Sequence, residues 1–246
     1  MSKIRAAAIH FGITMSIILP LLILVKHYWF RGSFFSLMDA NGLFFLFLLV
    51  GFICGPFLTF FVFDKKKKRL SLVIDIAVIA VLQIFGVGYG LFVMSYARPV
   101  VMVFEVDRIR VLSFAELDRQ EENIFPGWTS IWSFSQPQVV FLRPAGSNGE
   151  KWKRIYSDIN GQQASRQPSQ WTDYYDNSKI ILERTKPLET LIEKFPEKVK
   201  EIEFSIRANA SARWLPLVSE KKLDWVIFLD DKNAKPIAFM NLDGFF

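Results

Sequence analysis

The residue types that carry most enzyme chemistry are sparse in this chain. Its two histidines, His10 and His27, and its single cysteine, Cys54, all lie in or beside long apolar runs, and residues 97 to 246 contain neither type. A Ser–His or Cys–His nucleophile pair needs its base within hydrogen-bond reach, so that region has no such pair. It equally lacks the His and Cys ligands that zinc prefers. Two carboxylate pairs remain. Glu105 and Asp107 stand two apart on an extended segment and share a face; they could do acid–base work, but solvated surface is the simpler reading. Asp230 and Asp231 sit at a turn, where Asp is favoured for backbone reasons alone. No glycine-rich phosphate loop opens a helix and no Walker signature is present. The sequence predicts no catalytic residue, no metal ligand and no cofactor, and hence a protein that is not an enzyme.

Polar groups inside apolar runs are the better candidates, because burying them is costly and often marks function. Asp75 and Gln83 both lie in the run from Leu70 to Tyr96. In one reading Asp75 reaches back to Lys65, Lys66, Lys67, Lys68 and Arg69, and Gln83 bonds across to a neighbouring helix. In the other, the two form a polar seam for a helix of another protein. Two glycine pairs bear on the choice: Gly51 and Gly55, followed by Pro56, and Gly86 and Gly90. Glycines four apart share a helix face and let backbones approach closely, either within this chain or with an external helix. The second pair belongs to Val87-Gly88-Tyr89-Gly90, which matches the end of a potassium-filter loop. A filter needs a further membrane helix after it, and the polar region begins within ten residues, so this segment is expected to stay helical.

The elements that position these groups are three apolar runs, in a chain that is 51% hydrophobic: Ala6 to Val25, Leu43 to Phe63 and Leu70 to Tyr96. At 1.5 Å per residue each is long enough to cross a hydrocarbon core of about 30 Å. Lys3 and Arg5 ahead of the first run would suit a signal peptide, but no small-residue cleavage site follows. A cationic and aromatic belt, Lys26 to Arg31, follows instead. Three transmembrane helices are therefore expected. Lys3, Arg5 and the five cations from Lys65 to Arg69 outnumber Lys26 and Arg31, which places the N-terminus and the basic loop in the cytoplasm by the positive-inside rule. The domain from residue 97 to 246 then lies outside, on the non-cytoplasmic side.

The sequence pI of about 9.4 suggests nucleic-acid binding until the charges are located. The first 96 residues carry nine of the 30 Lys and Arg and three of the 24 acids, which leaves 21 of each sign in the remainder. That remainder is neutral, without the basic face that nucleic acid requires. The basic loop reads as a topology determinant in contact with anionic lipid.

The domain from residue 97 onward is expected to be α+β and to stand without disulfides. Val100 to Leu112 reads as one strand, Ser113 with Glu116 as a capping box opening a short helix to Asn123, and Gln138 to Arg143 as a second strand. Ile159 to Asn177 reads as a long loop pinned by Trp171, Tyr174 and Tyr175. Lys186 to Ala210 carries helical spacing, with Pro196 starting a second helix. Two apolar segments around Asp231 to Ala234 predict a hairpin.

Gly55-Pro56-Phe57-Leu58-Thr59, the run Ile74 to Gln83, Tyr89-Gly90-Leu91 and above all Ala97-Arg98-Pro99 through Phe104-Glu105-Val106-Asp107-Arg108 resemble the TfpX/TfpZ type IV pilin accessory proteins of Gram-negative bacteria. The resemblance covers the whole chain and is firmest from residue 40 to 112. It implies a non-enzymatic, multi-pass inner-membrane protein whose partner is a major type IV pilin and which assists pilin folding, stability or assembly. Spans two and three would cradle the pilin helix while the periplasmic domain touches its head. A membrane-anchored periplasmic sensor or ligand-binding protein is the alternative, although the short cytoplasmic segments offer it no output domain.

Overall fold

A computed structural model of the chain describes residues 2–159, 161–206 and 211–246, apart from the side chains of residues 52–54. The Cys54 thiol and the Ala210 end of the predicted helical region lie outside the described residues. The chain forms two compact units, Met1–Phe35 with Ala40–Tyr96, and Ser36–Asp39 with Ala97–Phe246.

The first unit is helical. It contains α1 (Lys3–Tyr28), the start of a one-turn α2 (Phe34–Leu37), α3 (Asn41–Val62) and α4 (Arg69–Ala97). Ser2 caps α1 by accepting the Arg5 amide at 3.2 Å, which satisfies one of the donors a helix start leaves free. The three long helices are each long and apolar enough to cross a membrane. Their surfaces differ, since only 6% of the most apolar stretch of α4 is buried, against 33% for α3. The Val87–Gly90 segment is helical throughout, as expected from the run that contains it.

The second unit is built on an eight-stranded mixed sheet with short helices around it. Its strands are β1 (Pro99–Phe104), β2 (Ile109–Ser113), β3 (Gln138–Leu142), β4 (Trp171–Asp173), β5 (Lys186–Pro187), β6 (Arg213–Val218), β7 (Trp225–Leu229) and β8 (Pro236–Met240). The main order is β4-β3-β1-β2-β6-β7-β8, with β5 paired to β6. Pairing is parallel for β1–β3 and β2–β6 and antiparallel elsewhere. The helices are α5 (Asn148–Ile159), α6 (Ser178–Arg184), α7 (Leu188–Lys194) and α8 (Val199–Ser205).

Several predicted elements change shape. Val100 to Leu112 is not one strand but the β1–β2 hairpin, because the chain reverses at residues 105–108, where the Glu105 amide donates to the Arg108 carbonyl at 3.0 Å. No Gly, Asn or Pro marks that turn. Its charges hold it instead, with Arg110 on Glu105 at 2.7 Å and Arg108 on Asp107 at 2.8 Å, so the two acids do not share a strand face. Glu116 does accept from the amide and hydroxyl of Ser113, each at 2.7 Å, but the chain then runs as two 3-10 segments, Phe114–Glu116 and Arg119–Ile124, and not as one α-helix. The stretch from 159 to 177 contains 3-10 turns and β4, and its aromatics do anchor it: the Trp171 indole donates to the Ser165 carbonyl and the Tyr174 hydroxyl to the Ala234 carbonyl, both at 2.9 Å. Pro196 opens a 3-10 turn before α8, and the terminal hairpin forms as β7–β8.

The core of this unit has α7 and α8 packed on β6 and β7, where Leu191, Ile202, Trp214, Val226 and Phe228 are fully buried. Trp214 donates its indole N–H to the Pro187 carbonyl at 2.9 Å and stacks on Phe246. Leu242 and Gly244 of the terminal segment are buried against this core, while Phe246 covers Trp214 and stays 47% exposed. Gly244 lies so close to Trp214, Val226 and the Pro216 backbone that a Cβ there would sit 3.0 to 3.3 Å from them. The Ser36–Asp39 segment is held in this unit by the Ser219 hydroxyl, which donates to the Leu37 carbonyl at 2.7 Å.

Candidate functional site: a polar-lined crevice in the helical unit

Within the helical unit, polar side chains from three helices converge. His10 of α1 lies 2.5 Å from the Thr59 hydroxyl of α3 through Nδ1, and 2.7 Å from Gln83 Oε1 of α4 through Nε2. The Gln83 amide nitrogen donates to the Thr14 hydroxyl at 2.9 Å and lies 3.5 Å from the Gly51 carbonyl. Because the Gln83 nitrogen donates to Thr14, its oxygen must accept, so a neutral His10 carries its proton on Nε2 and accepts the Thr59 hydroxyl on Nδ1. Every member is satisfied, which is the condition for keeping such a network out of water.

This network lines a crevice of about 480 Å³ between α1 and α4, whose apolar walls come from Ile13, Ile17, Ile84 and Val87. Next to it the α4 surface is apolar and open: Phe85 is 73% and Tyr89 71% exposed. A shallower depression on α1 and α3 is lined by Phe11, Pro56 and Phe60.

The glycines expected to admit a helix are mostly occupied by this chain itself. Gly51 faces the Ile18 side chain of α1, Gly90 faces Phe47 of α3, and a Cβ on Gly55 would meet the Gln83 amide at 2.5 Å. Gly86 differs, since its nearest neighbour, Val50, would stand at an ordinary 3.5 Å. Asp75 forms an ion pair with Lys67 at 2.7 Å. Among the other loop cations, the Lys66 amide donates to Asp64 at 2.9 Å, and Arg69 opens α4. The structure therefore brings together Gly51, Gly55 and Gln83 but leaves Asp75 apart from them. His10, Thr14 and Thr59 were missed by sequence reasoning that weighed His10 only as a base. The available signal was a set of polar residues within apolar runs.

A second missed residue is Arg98 in the sheet unit. It is 1% exposed. Its Nη2 donates to the Trp128 carbonyl at 3.3 Å and, more closely, to that of Ser130. Burial lowers its pKa to about 10.

No family model matches the chain, and no solved structure matches it either. Among curated proteins, the fimbrial assembly protein of serogroup I from Dichelobacter nodosus is 28% identical over 247 residues, spanning 98% of this chain and 95% of that protein. Its serogroup E1 counterpart matches with the same identity and coverage. The fimbrial assembly protein of serogroups C1 and C2 is 32% identical over 113 residues, spanning 46% of this chain and 86% of that protein. The chain belongs to the fimbrial assembly protein family, the type IV pilin accessory proteins that its sequence resembles.

Proposed function

We propose that this protein is a non-enzymatic inner-membrane factor in type IV pilus assembly that receives the transmembrane helix of the major pilin in the crevice between α1 and α4. In this reading the three long helices span the membrane, the N-terminus and the Lys65–Arg69 loop are cytoplasmic, and the sheet unit is periplasmic, where it meets the pilin head. The assembly role rests on the fimbrial assembly relatives. The observation that carries the mechanism is the uncovered apolar surface of α4 beside a crevice with a hydrogen-bonding lining. Lipid tails solvate apolar side chains as well as a helix does, so helix recognition in a bilayer relies on close packing and on polar contacts. The crevice offers both. The glycine faces of α3 are taken up internally, which favours α1 and α4 as the receiving pair over the second and third helices.

Photo-crosslinkers placed at Ile84 and at Phe57 in cells making pili test this reading. Ile84 is expected to capture pilin and Phe57 to capture little. Capture from Phe57 alone would move the site away from the crevice. Capture from neither, with pilus display unchanged on deleting the gene, would overturn the reading.

A further inference from the structure

In the sheet unit α5 presents the opposite of an ordinary surface helix. An amphipathic helix normally buries its apolar stripe and shows its polar face. In α5 the polar side is the one fastened to the domain. Glu150 pairs with Arg143 at 2.6 Å and accepts the Gly146 amide at 2.7 Å. Arg154 donates to the Arg143 carbonyl at 2.6 Å and to the Gln170 side chain at 2.7 Å. On the other side Trp152, Ile155, Tyr156 and Ile159 recur at helical spacing and are 71%, 50%, 70% and 78% exposed. At 100° per residue Lys151 and Lys153 fall on opposite borders of that apolar face, and both are exposed.

We infer that α5 lies in the surface of the anionic bilayer, with Trp152, Ile155, Tyr156 and Ile159 inserted at headgroup depth and Lys151 and Lys153 against lipid phosphates. Low overall hydrophobicity, an apolar face carrying Trp and flanking cations are the composition of an interfacial helix. Trp and Tyr favour that depth because their rings are apolar with one polar edge. A soluble domain would have to justify three exposed side chains as large as Trp152, Ile155 and Ile159 on one short helix. The inference rests on the reading that α1, α3 and α4 span the membrane. Such anchoring keeps the sheet unit at high effective concentration near the lipid, so a single short helix suffices.

The test uses the full chain, carrying Cys54→Ser to remove its only thiol, in vesicles of phosphatidylethanolamine and phosphatidylglycerol. One nitroxide label per sample is attached through Trp152→Cys, Ile159→Cys, Lys232→Cys or Phe85→Cys. The accessibility ratio of oxygen to a water-soluble nickel chelate is expected to be several-fold higher at 152 and 159 than at 232, and highest at 85. Equal ratios at 152, 159 and 232, with 85 in lipid, overturn the inference and leave the spanning reading intact. A watery ratio at 85 sinks the spanning reading itself. If labels 152 and 159 are water-exposed in vesicles and become sheltered only when pilin is added, the face serves a protein and the inference is wrong.

Discussion

The core of the sheet unit and the α4 face of the helical unit treat their large apolar side chains in opposite ways. In the sheet unit Trp214, Val226 and Phe228 are inside, fully buried under α7 and α8. In the helical unit Ile84, Phe85 and Tyr89 are outside, each more than 70% exposed. Water drives the first arrangement; the second belongs to helices long and apolar enough to cross a membrane. The His10–Gln83 network is part-buried between the helices, whereas the ion pairs of the sheet unit include exposed ones such as Arg108 with Asp107.

The contrast predicts that equal changes will have unequal effects. Trp214→Ala is expected to cost about 3–5 kcal/mol and to make the sheet unit protease-sensitive in detergent. The helical unit should stay resistant; simultaneous loss of both would show that the units do not fold separately. In the helical unit Gln83→Leu leaves the His10 donor without a partner and is expected to cost about 1–2 kcal/mol in a denaturing-detergent titration. The His10→Leu, Gln83→Leu double variant should recover part of that loss, because both ends of the pair are then apolar. Gly244→Ala, which forces a methyl against Trp214 and the Pro216 backbone, is expected to cost about 1–3 kcal/mol, read by thermal unfolding. Gly86→Ala has room, so its effect should stay within about 0.5 kcal/mol, while Gly55→Ala clashes with Gln83 and should exceed it. The smallest effect concerns acid. The hydrogen bond from Arg108 holds the Asp107 pKa below the ordinary carboxylate value. Its stabilising contribution is therefore complete above the unfolded-state value and lost as pH falls through the depressed folded one. Asp107→Asn should flatten the acid side of a stability profile slightly.

What was legible in the sequence respects the same division. Long apolar runs give three long helices, and two apolar segments around a polar turn give the β7–β8 hairpin. The β1–β2 hairpin was invisible because its turn, Glu105 to Arg108, has no Gly, Asn or Pro, only Asp107, and is held by ion pairs. Helix α5 was overlooked for another reason: its glycine and asparagine start reads as a loop, although Trp152, Ile155, Tyr156 and Ile159 keep helical spacing. For the candidate site, the types of Gln83 and the glycines marked them out, but their partners did not follow from type. Gly55 and Gly86 look equivalent in sequence. One is filled by a side chain of the same protein and the other is not, which depends on how helices from distant parts of the chain dock.

The pairing of β2 with β6 joins Ile109 to Leu217 and Arg110 to Val218, across more than a hundred residues of intervening chain. A protein is made from its N-terminus, so β1, β2 and β3 emerge while β6 is still unsynthesised. Until β6 arrives, β2 keeps an open edge in the middle of a future sheet, and open edges are where chains pair wrongly. For this protein, timing is therefore a structural variable: a pause in translation between residues 113 and 213 would prolong the interval in which the β2 edge stays open.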